Sequence, residues 1–213
     1  VDVLSFTVAA FTALFAIVNP MGAIPLLVTL TDGYSEHEKK RVITKAVFTG
    51  LLVLIIFALF GNYIFAFFGI TISAFRIAGG MLLISVGFSM MRGQPPRTKS
   101  TPEEREEASD REDIGVVPLG VPMLAGPGSI TTVMIFVSKS ENVSQTGSVL
   151  FVVLATMLIT YALFIYGDKI FNRIGRVGSR AFSRIMGLII TAIAVEFVIE
   201  GIHAVLVEWG VLL

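Results

Sequence analysis

The sequence predicts an all-α membrane protein: six transmembrane helices forming two inverted three-helix repeats, with discontinuous helices 1 and 4. Three observations predict it, namely long apolar runs, a one-sided distribution of cations, and a proline–glycine element that occurs twice. Of 213 residues, 54 % are hydrophobic and 15 % charged, and the mean hydropathy is +0.84. Soluble domains average roughly 45–50 % apolar and about 25 % charged residues. The charges are also unevenly spread, since residues 92–113 hold 12 of the 32 Asp, Glu, Lys and Arg. The remainder of the chain carries too few charges to stay in solution.

A spanning helix needs about 20 mostly apolar residues to cross a hydrocarbon layer roughly 30 Å thick. On that scale the spans are Val3–Leu30, Val42–Gly69, Ile70–Met91, Ile114–Val137, Gly147–Gly167 and Phe182–Val207. Runs of this length exclude the alternating pattern of barrel strands. The N-terminus lacks the basic region of a signal peptide, so the first run is read as a span. Segments 31–41, 92–113 and 168–181 then share one side of the membrane. They carry twelve Lys and Arg, against Lys139 alone in the loops and termini opposite. The positive-inside bias places the twelve in the cytoplasm and both termini on the extracellular or periplasmic side of a multi-pass cell-membrane protein. Residues 1–91 form the first repeat, 92–113 a polar cytoplasmic linker with a short helix around Glu103–Asp110, and 114–213 the second repeat.

Composition also excludes several functions. A formal net charge of zero argues against nucleic acid as a partner. The absence of cysteine removes disulfides, thiolate catalysis and Cys-based metal sites. His37 and His203 are too far apart to read as a metal-binding pair. No metal and no organic cofactor are expected.

Asn19-Pro20-Met21-Gly22-Ala23-Ile24-Pro25 aligns with Val121-Pro122-Met123-Leu124-Ala125-Gly126-Pro127, and Phe75-Arg76-Ile77-Ala78-Gly79 aligns with Ser183-Arg184-Ile185-Met186-Gly187. Two matches in the same order, each at the same place within three spans, indicate a duplication. An odd number of spans per copy inverts the second copy, the architecture of many secondary transporters. The bland alternative is an inert duplicated bundle.

Proline lacks an N–H, so Pro20 and Pro25 deprive the carbonyls of Ala16 and Met21 of helical partners, and Pro122 and Pro127 do the same to Pro118 and Met123. With Gly22, Gly126 and Gly128 beside them, unwound segments near the midplane are expected. Such segments survive in lipid only when they line a protein-covered or polar cavity. Each break starts a half-helix whose N–H groups suit a carboxylate, with Ser129 and Thr132 as hydroxyls at the second start. Freed carbonyls and Asn19 suit an ammonium group. The expected ligand is therefore a small zwitterion, held by Asn19, Pro20, Gly22, Pro25, Pro122, Gly126, Pro127, Gly128, Ser129 and Thr132.

Ionisable residues inside spans are candidates for ion coupling. Glu196, Glu200 and His203 fall at i, i+4 and i+7 on the last span, and Arg76 can pair with Glu200 or Glu196. A structural ion pair with a snorkelling histidine is the competing reading. Gly79, Gly80 and Gly87 are read as small residues for close helix packing.

The element Asn19-Pro20-Met21-Gly22-Ala23-Ile24-Pro25 resembles the Asn-Pro-x-Gly-x-x-Pro motif of the MarC family of integral membrane proteins. Pro118-Leu119 through Gly126-Pro127-Gly128-Ser129-Ile130 resembles its second motif. The likeness spans nearly the whole chain. It implies a SnatA-type transporter of small neutral amino acids (glycine, alanine and serine), driven by the proton gradient. It maps the site onto Asn19, Gly22, Gly126, Gly128 and Ser129 and leaves Glu196, Glu200 and His203 unassigned. The resulting expectation is a secondary transporter with alternating access and no enzymatic activity. A proton is preferred to sodium as the coupling ion. The alternatives are a passive channel or exporter for another small solute, and a non-transporting membrane scaffold. The sequence specifies no oligomeric state.

Overall fold

The computed structural model describes residues 2–93 and 114–211, and these form helices α1 (Val3–Val18), α2 (Pro20–Leu30), α3 (Glu36–Phe68), α4 (Ile72–Met91), α5 (Gly115–Leu124), α6 (Pro127–Ser138), α7 (Val143–Ile165) and α8 (Gly167–Glu208). Five apolar stretches are long enough to cross a membrane, and the bent pair α5–α6 brings the number to six. The linker expectation, with its helix around Glu103–Asp110, lies outside the described residues.

Local signals fix the ends. Ser35 caps α3 by accepting from Glu38 N at 3.3 Å, while Glu38 Oε2 accepts from Ser35 N at 2.8 Å. This reciprocal box satisfies two otherwise unpaired N–H groups. The other end of α3 stops at Gly69, whose φ of +65° closes a turn in which Ile70 N donates to Phe65 O. Thr71 caps α4 and Asn142 caps α7, each through its side-chain oxygen. α3 has 33 residues, about 50 Å at 1.5 Å per residue, so its first polar turns project beyond the hydrocarbon layer.

One boundary differs from expectation. Segment 168–181 is not a loop but part of α8, interrupted only at Gly175, where φ 67° and ψ −179° turn the chain. Lys39 Nζ donates to Asp168 Oδ2 at 2.6 Å and ties the start of this short leading piece to α3. The polar residues read as loop therefore belong to a helix lying at the bundle end.

The most extensive interface joins α4 to α8. Small residues recur every seventh position on both helices: Ser73, Gly80 and Gly87 face Gly201, Ala194 and Gly187. The numbers rise along one helix as they fall along the other, so the two run antiparallel. A Cβ at Gly80 would stand 2.8 Å from Ala194 O, at Gly87 2.8 Å from Gly187 O, and at Gly201 3.0 Å from Ser73 O. Backbones this close leave no room for a side chain. In lipid, where hydrophobic burial gives helices little reason to associate, such van der Waals contact holds the pair together. Gly80 and Gly87 thus have the packing role read from sequence, while Gly79 is filled from α6 by the Thr131 methyl.

α1 packs against α6 and α7, and its Ala10, Leu14 and Ile17 are each 2 % exposed. The outward faces carry Phe48, Leu52 and Phe60 of α3, Phe151 and Leu158 of α7, and Leu188 and Ile199 of α8, all exposed. Hydrophobic side chains outside and tight packing inside are what a bilayer-embedded bundle requires. Gly187→Leu should lower the stability of the bundle by about 1–3 kcal/mol, read as a fall in Tm in detergent. A Tm equal to that of the parent would mean that α4 and α8 do not touch there.

Candidate functional site

The first apolar run is divided at Asn19, the one non-glycine residue with positive φ among those described (φ 48°, ψ 60°). Its position before Pro20 explains this. A residue preceding proline is kept out of the right-handed helical region, and asparagine tolerates the left-handed one. Asn19 N donates to Phe15 O at 2.9 Å and ends α1; its Oδ1 accepts from Gly22 N at 3.2 Å and starts α2. Pro20 occupies the first turn, where a missing N–H costs nothing. Pro25 departs from expectation. It lies within α2, which continues to Leu30, so the first break is a one-residue junction rather than an unwound segment.

The second break is larger. Leu119 N donates to Ile114 O at 3.4 Å and Ala125 N to Gly120 O at 3.0 Å, so α5 is wound with i→i+5 bonds. Val117 (φ −125°, ψ 126°) and Val121 (φ −133°, ψ 129°) are extended inside it, and both precede a proline. The Val121–Pro122 peptide is cis. α5 meets α6 at a bend of 51°. Gly126 is required because a Cβ there would overlap Pro122 O. Pro127 opens α6, and no side chain caps that N-terminus among the described residues.

The two breaks adjoin. A Cβ at Gly128 would stand 3.2 Å from Ile17 Cγ2 of α1 and 2.9 Å from Leu83 Cδ2 of α4. Ser129 and Thr132 are 2 % and 1 % exposed, and Thr132 Oγ1 donates to Gly128 O at 2.9 Å. Pro122 is half-buried and Pro127 is exposed. Asn19 is 5 % exposed, and its Nδ2 reaches Ser183 Oγ of α8 at 3.5 Å. Gly22 is confined by that same pair, since a Cβ would overlap both Asn19 Nδ2 and Ser183 Oγ. Asn19 therefore serves as cap and tie between α1–α2 and α8.

Sequence reasoning missed Ser183 as a site residue, although it opens the second copy of the Phe75-Arg76 element. Thr156 is a further buried polar residue, on α7, with a hydroxyl that has no partner among the described residues. A threonine in an apolar run gives no sequence signal that separates a site from packing.

Beside Asn19, at the bundle end that holds Lys39, lies an apolar cleft of about 140 Å³ lined by Met21, Ile24, Ile170, Phe171, Gly175 and Phe182. The opposite end holds an aromatic cluster. Phe136 of α6 meets Phe6 of α1 and Phe197 of α8 edge to face, with centroids 5.7 and 6.1 Å apart. Lys139 Nζ stands 5.2 Å from the Phe197 ring centre and donates to Glu200 Oε1 at 2.6 Å. Arg76 Nη2 donates to Ser138 Oγ at 3.1 Å.

These contacts correct the ion pairing expected from sequence. Glu200 pairs with Lys139, not Arg76, because α6 ends between α4 and α8 and presents Ser138 and Lys139 in turn. Glu196 and His203 are exposed on α8. The four charged candidates do not form one cluster.

The fold and its apolar surface define a multi-pass integral membrane protein. The MarC family of integral membrane proteins matches residues 4–206, and the chain belongs to that family. It is similar to the UPF0056 membrane protein MJ0972 of Methanocaldococcus jannaschii, at 42 % identity over 94 % of this chain and 88 % of that one. It is also similar to the UPF0056 membrane protein YvbG of Bacillus subtilis, at 33 % identity over 93 % and 94 % of the two chains. YhcE of Escherichia coli, a UPF0056 membrane protein, is 32 % identical over 92 % and 91 %. No solved structure matches significantly.

Lys139→Met leaves Glu200 without its cation and should lower stability by about 1–2 kcal/mol, because a partly buried charge loses its hydrogen-bond donor. Adding Glu200→Gln should recover most of that loss. Unfolding free energies of the two single variants and the double variant close the cycle, and strictly additive values would show that the pair is not coupled.

Proposed function

We propose that this chain is a secondary transporter of small neutral amino acids, working by alternating access between two inverted three-helix repeats. The observation that carries the reading is the meeting of two proline-made breaks inside an otherwise apolar bundle, at Ile17 and Gly128. Irregular backbone at membrane depth is tolerated where it is covered by protein or lines a cavity, and transporters place their sites at such breaks.

The two breaks offer different chemistry. At α2 the Gly22 N–H is already taken by Asn19 Oδ1. At α6 the N-terminus has no side-chain cap, and buried Ser129 stands in its first turn. A substrate carboxylate is therefore assigned to the start of α6, at Gly128 and Ser129, where N–H groups and the helix dipole favour an anion. Asn19 and Ser183 border the site from the other side, and the second lone pair of Asn19 Oδ1 and the hydroxyl oxygen of Ser183 can accept from the ammonium. With no fixed charge among these residues, a neutral zwitterion fits better than a net anion or cation.

Taking the cation-rich end as cytoplasmic, the apolar cleft beside Met21 and Gly175 is the inner approach to the site. The Phe6–Phe136–Phe197 cluster with its Lys139–Glu200 pair is the outer closure, and its opening would accompany movement of one repeat against the other. Proton coupling is proposed over sodium because the resemblance to SnatA-type transporters implies it.

Uptake of labelled glycine, alanine and serine into proteoliposomes tests the proposal, with pH and sodium gradients imposed separately. Accumulation above the external concentration, driven by the pH gradient alone, is expected. Equilibration without accumulation would identify a passive channel instead. Asn19→Gly keeps the left-handed backbone and loses the side chain, whereas Asn19→Ala loses both. Both should reduce uptake at least tenfold, and Asn19→Ala should also be less stable by about 1–2 kcal/mol. Unchanged uptake by a folded Asn19→Gly protein would remove Asn19 from the site.

A further inference from the structure

We infer that Arg76 is a working residue of the outer closure, taking over the Glu200 carboxylate from Lys139 when the end of α6 withdraws. The inference rests on the transport reading only in taking this end as a closure that opens.

Arg76 is half-buried, and its guanidinium is only partly satisfied. Nη2 donates to Ser138 Oγ at 3.1 Å, and the Ser138 hydroxyl in turn donates to Ile135 O at 2.8 Å. The acceptor is therefore a neutral oxygen whose own proton is committed. The other donor on the same edge, Nε, is buried and has no partner among the described residues. Nε and Nη2 together make the fork with which arginine grips a carboxylate through two parallel bonds. A charged side chain within a membrane span is normally paired. A fork with one donor on a hydroxyl and the other on nothing identifies a carboxylate as its missing partner.

Glu200 is the carboxylate placed to fill it. A Cβ at Gly201, the next residue, would stand 3.2 Å from Arg76 Cβ and 3.0 Å from Ser73 O, so Glu200 and Arg76 lie at one level of the α4–α8 seam. The end of α6 engages both. Ser138 accepts from Arg76, and Lys139, the next residue, donates to Glu200 Oε1 at 2.6 Å. Two successive residues of one helix thus occupy a cation of α4 and an anion of α8.

Those two contacts break together. α4 and α8 meet backbone to backbone through Gly80, Gly87, Gly187 and Gly201, which keeps Arg76 and Glu200 in register. α6 is a half-helix of twelve residues that meets α5 at a bend of 51°, and a tilt at that bend leaves the seam intact. Such a tilt removes Ser138 and Lys139 at once. Removing one partner of a buried ion pair is strongly unfavourable because it leaves a lone charge. Here it leaves two opposite charges on adjoining helices, and the Nε–Nη2 edge receives Glu200 as Lys139 departs. Opening then exchanges one ion pair for another, so the closed and open forms stay close enough in free energy to interconvert.

Because the chain has no cysteine, a single introduced one reports opening. Ala10 is 2 % exposed and lies one turn inside Phe6 on α1, beneath the aromatic cluster. Labelling of Ala10→Cys in proteoliposomes by an external, membrane-impermeant maleimide reads how often the outer end opens. Lys139→Met should raise the labelling rate at least fivefold, because only the closed form loses its pair. Adding Arg76→Met should bring the rate back to within twofold of the parent, whereas adding Arg76→Lys, which keeps the charge, should retain most of the gain. Arg76→Met by itself should leave the rate at or below that of the parent, since the closed form loses only a bond to a hydroxyl. An arginine that merely holds the bundle together gives the opposite sign, with labelling rising on its removal. In a Glu200→Gln background Arg76→Met should change the rate less than twofold. Far-UV circular dichroism establishes that each variant is folded. No rise with Lys139→Met, a rise with Arg76→Met in any background, or equal effects of Arg76→Met and Arg76→Lys would overturn the inference. Labelling needs no substrate, so a parent that accumulates glycine without this pattern keeps the transport reading and loses the exchange.

Discussion

In a bilayer every main-chain N–H and C=O must find its partner within the protein, and this constraint organises the whole chain. Five prolines fall in apolar spans, and all five are in the first and fourth: Pro20, Pro25, Pro118, Pro122 and Pro127. Each removes a donor that the helix would otherwise use. The fold responds in three ways. Pro20 and Pro127 are placed where a helix begins and needs no donor. The Pro118–Pro122 region is rewound with i→i+5 bonds that skip the missing groups. Asn19 turns left-handed and closes α1 and opens α2 with its own polar atoms. These adjustments are affordable only in protein, and the structure keeps them there: Asn19, Gly126 and Gly128 are buried.

The helices that carry no proline serve a different need, which is to hold the broken ones. α4 and α8 meet backbone to backbone through small residues at every seventh position. That close contact brings Leu83 and Gly79 of α4 against Gly128 and Thr131 of α6, and Ser183 of α8 against Asn19 and Gly22. A larger residue at Gly80 or Gly187 would therefore act at a distance, by moving the walls of both breaks. The glycines of the site and those of the seam are parts of one packing problem.

Much of this was legible in the sequence, and the reasons are specific. Helix number and approximate ends followed from apolar length, because the bilayer sets a minimum that few other structures share. The location of the breaks followed from proline, whose effect is covalent and hardly depends on context. The extent of each break did not follow. Pro25 and Pro122 look alike in sequence, yet one is carried inside a regular helix and the other follows an extended residue. That outcome depends on what packs around the neighbouring carbonyls. Ion partners are legible in the sequence only as candidates, because a cation just past a span end, such as Lys139, and one inside a span, such as Arg76, carry no signal of which meets Glu200. A shift of the α6 end by a residue or two decides which cation meets Glu200, and periodicity does not resolve so small a distance.

The repeated motif also conceals a chemical difference that only geometry reveals. Asn19 aligns with Val121 and Pro25 with Pro127, yet the helices open at different points of the two segments: α2 at Pro20 behind the Asn19 cap, and α6 at Pro127 behind Gly126, which has no side chain to cap it. A capped start has spent its first donor, and an uncapped start retains its pull on an anion. Two segments of common pattern thus come to differ in role: the first ties helices together through Gly22 and Ser183, while the second keeps main-chain donors uncommitted at Gly128 and Ser129. Helices that open at different points of two similar segments make the two breaks chemically unlike. A ligand with unlike ends can then be held in one orientation between two halves of related sequence.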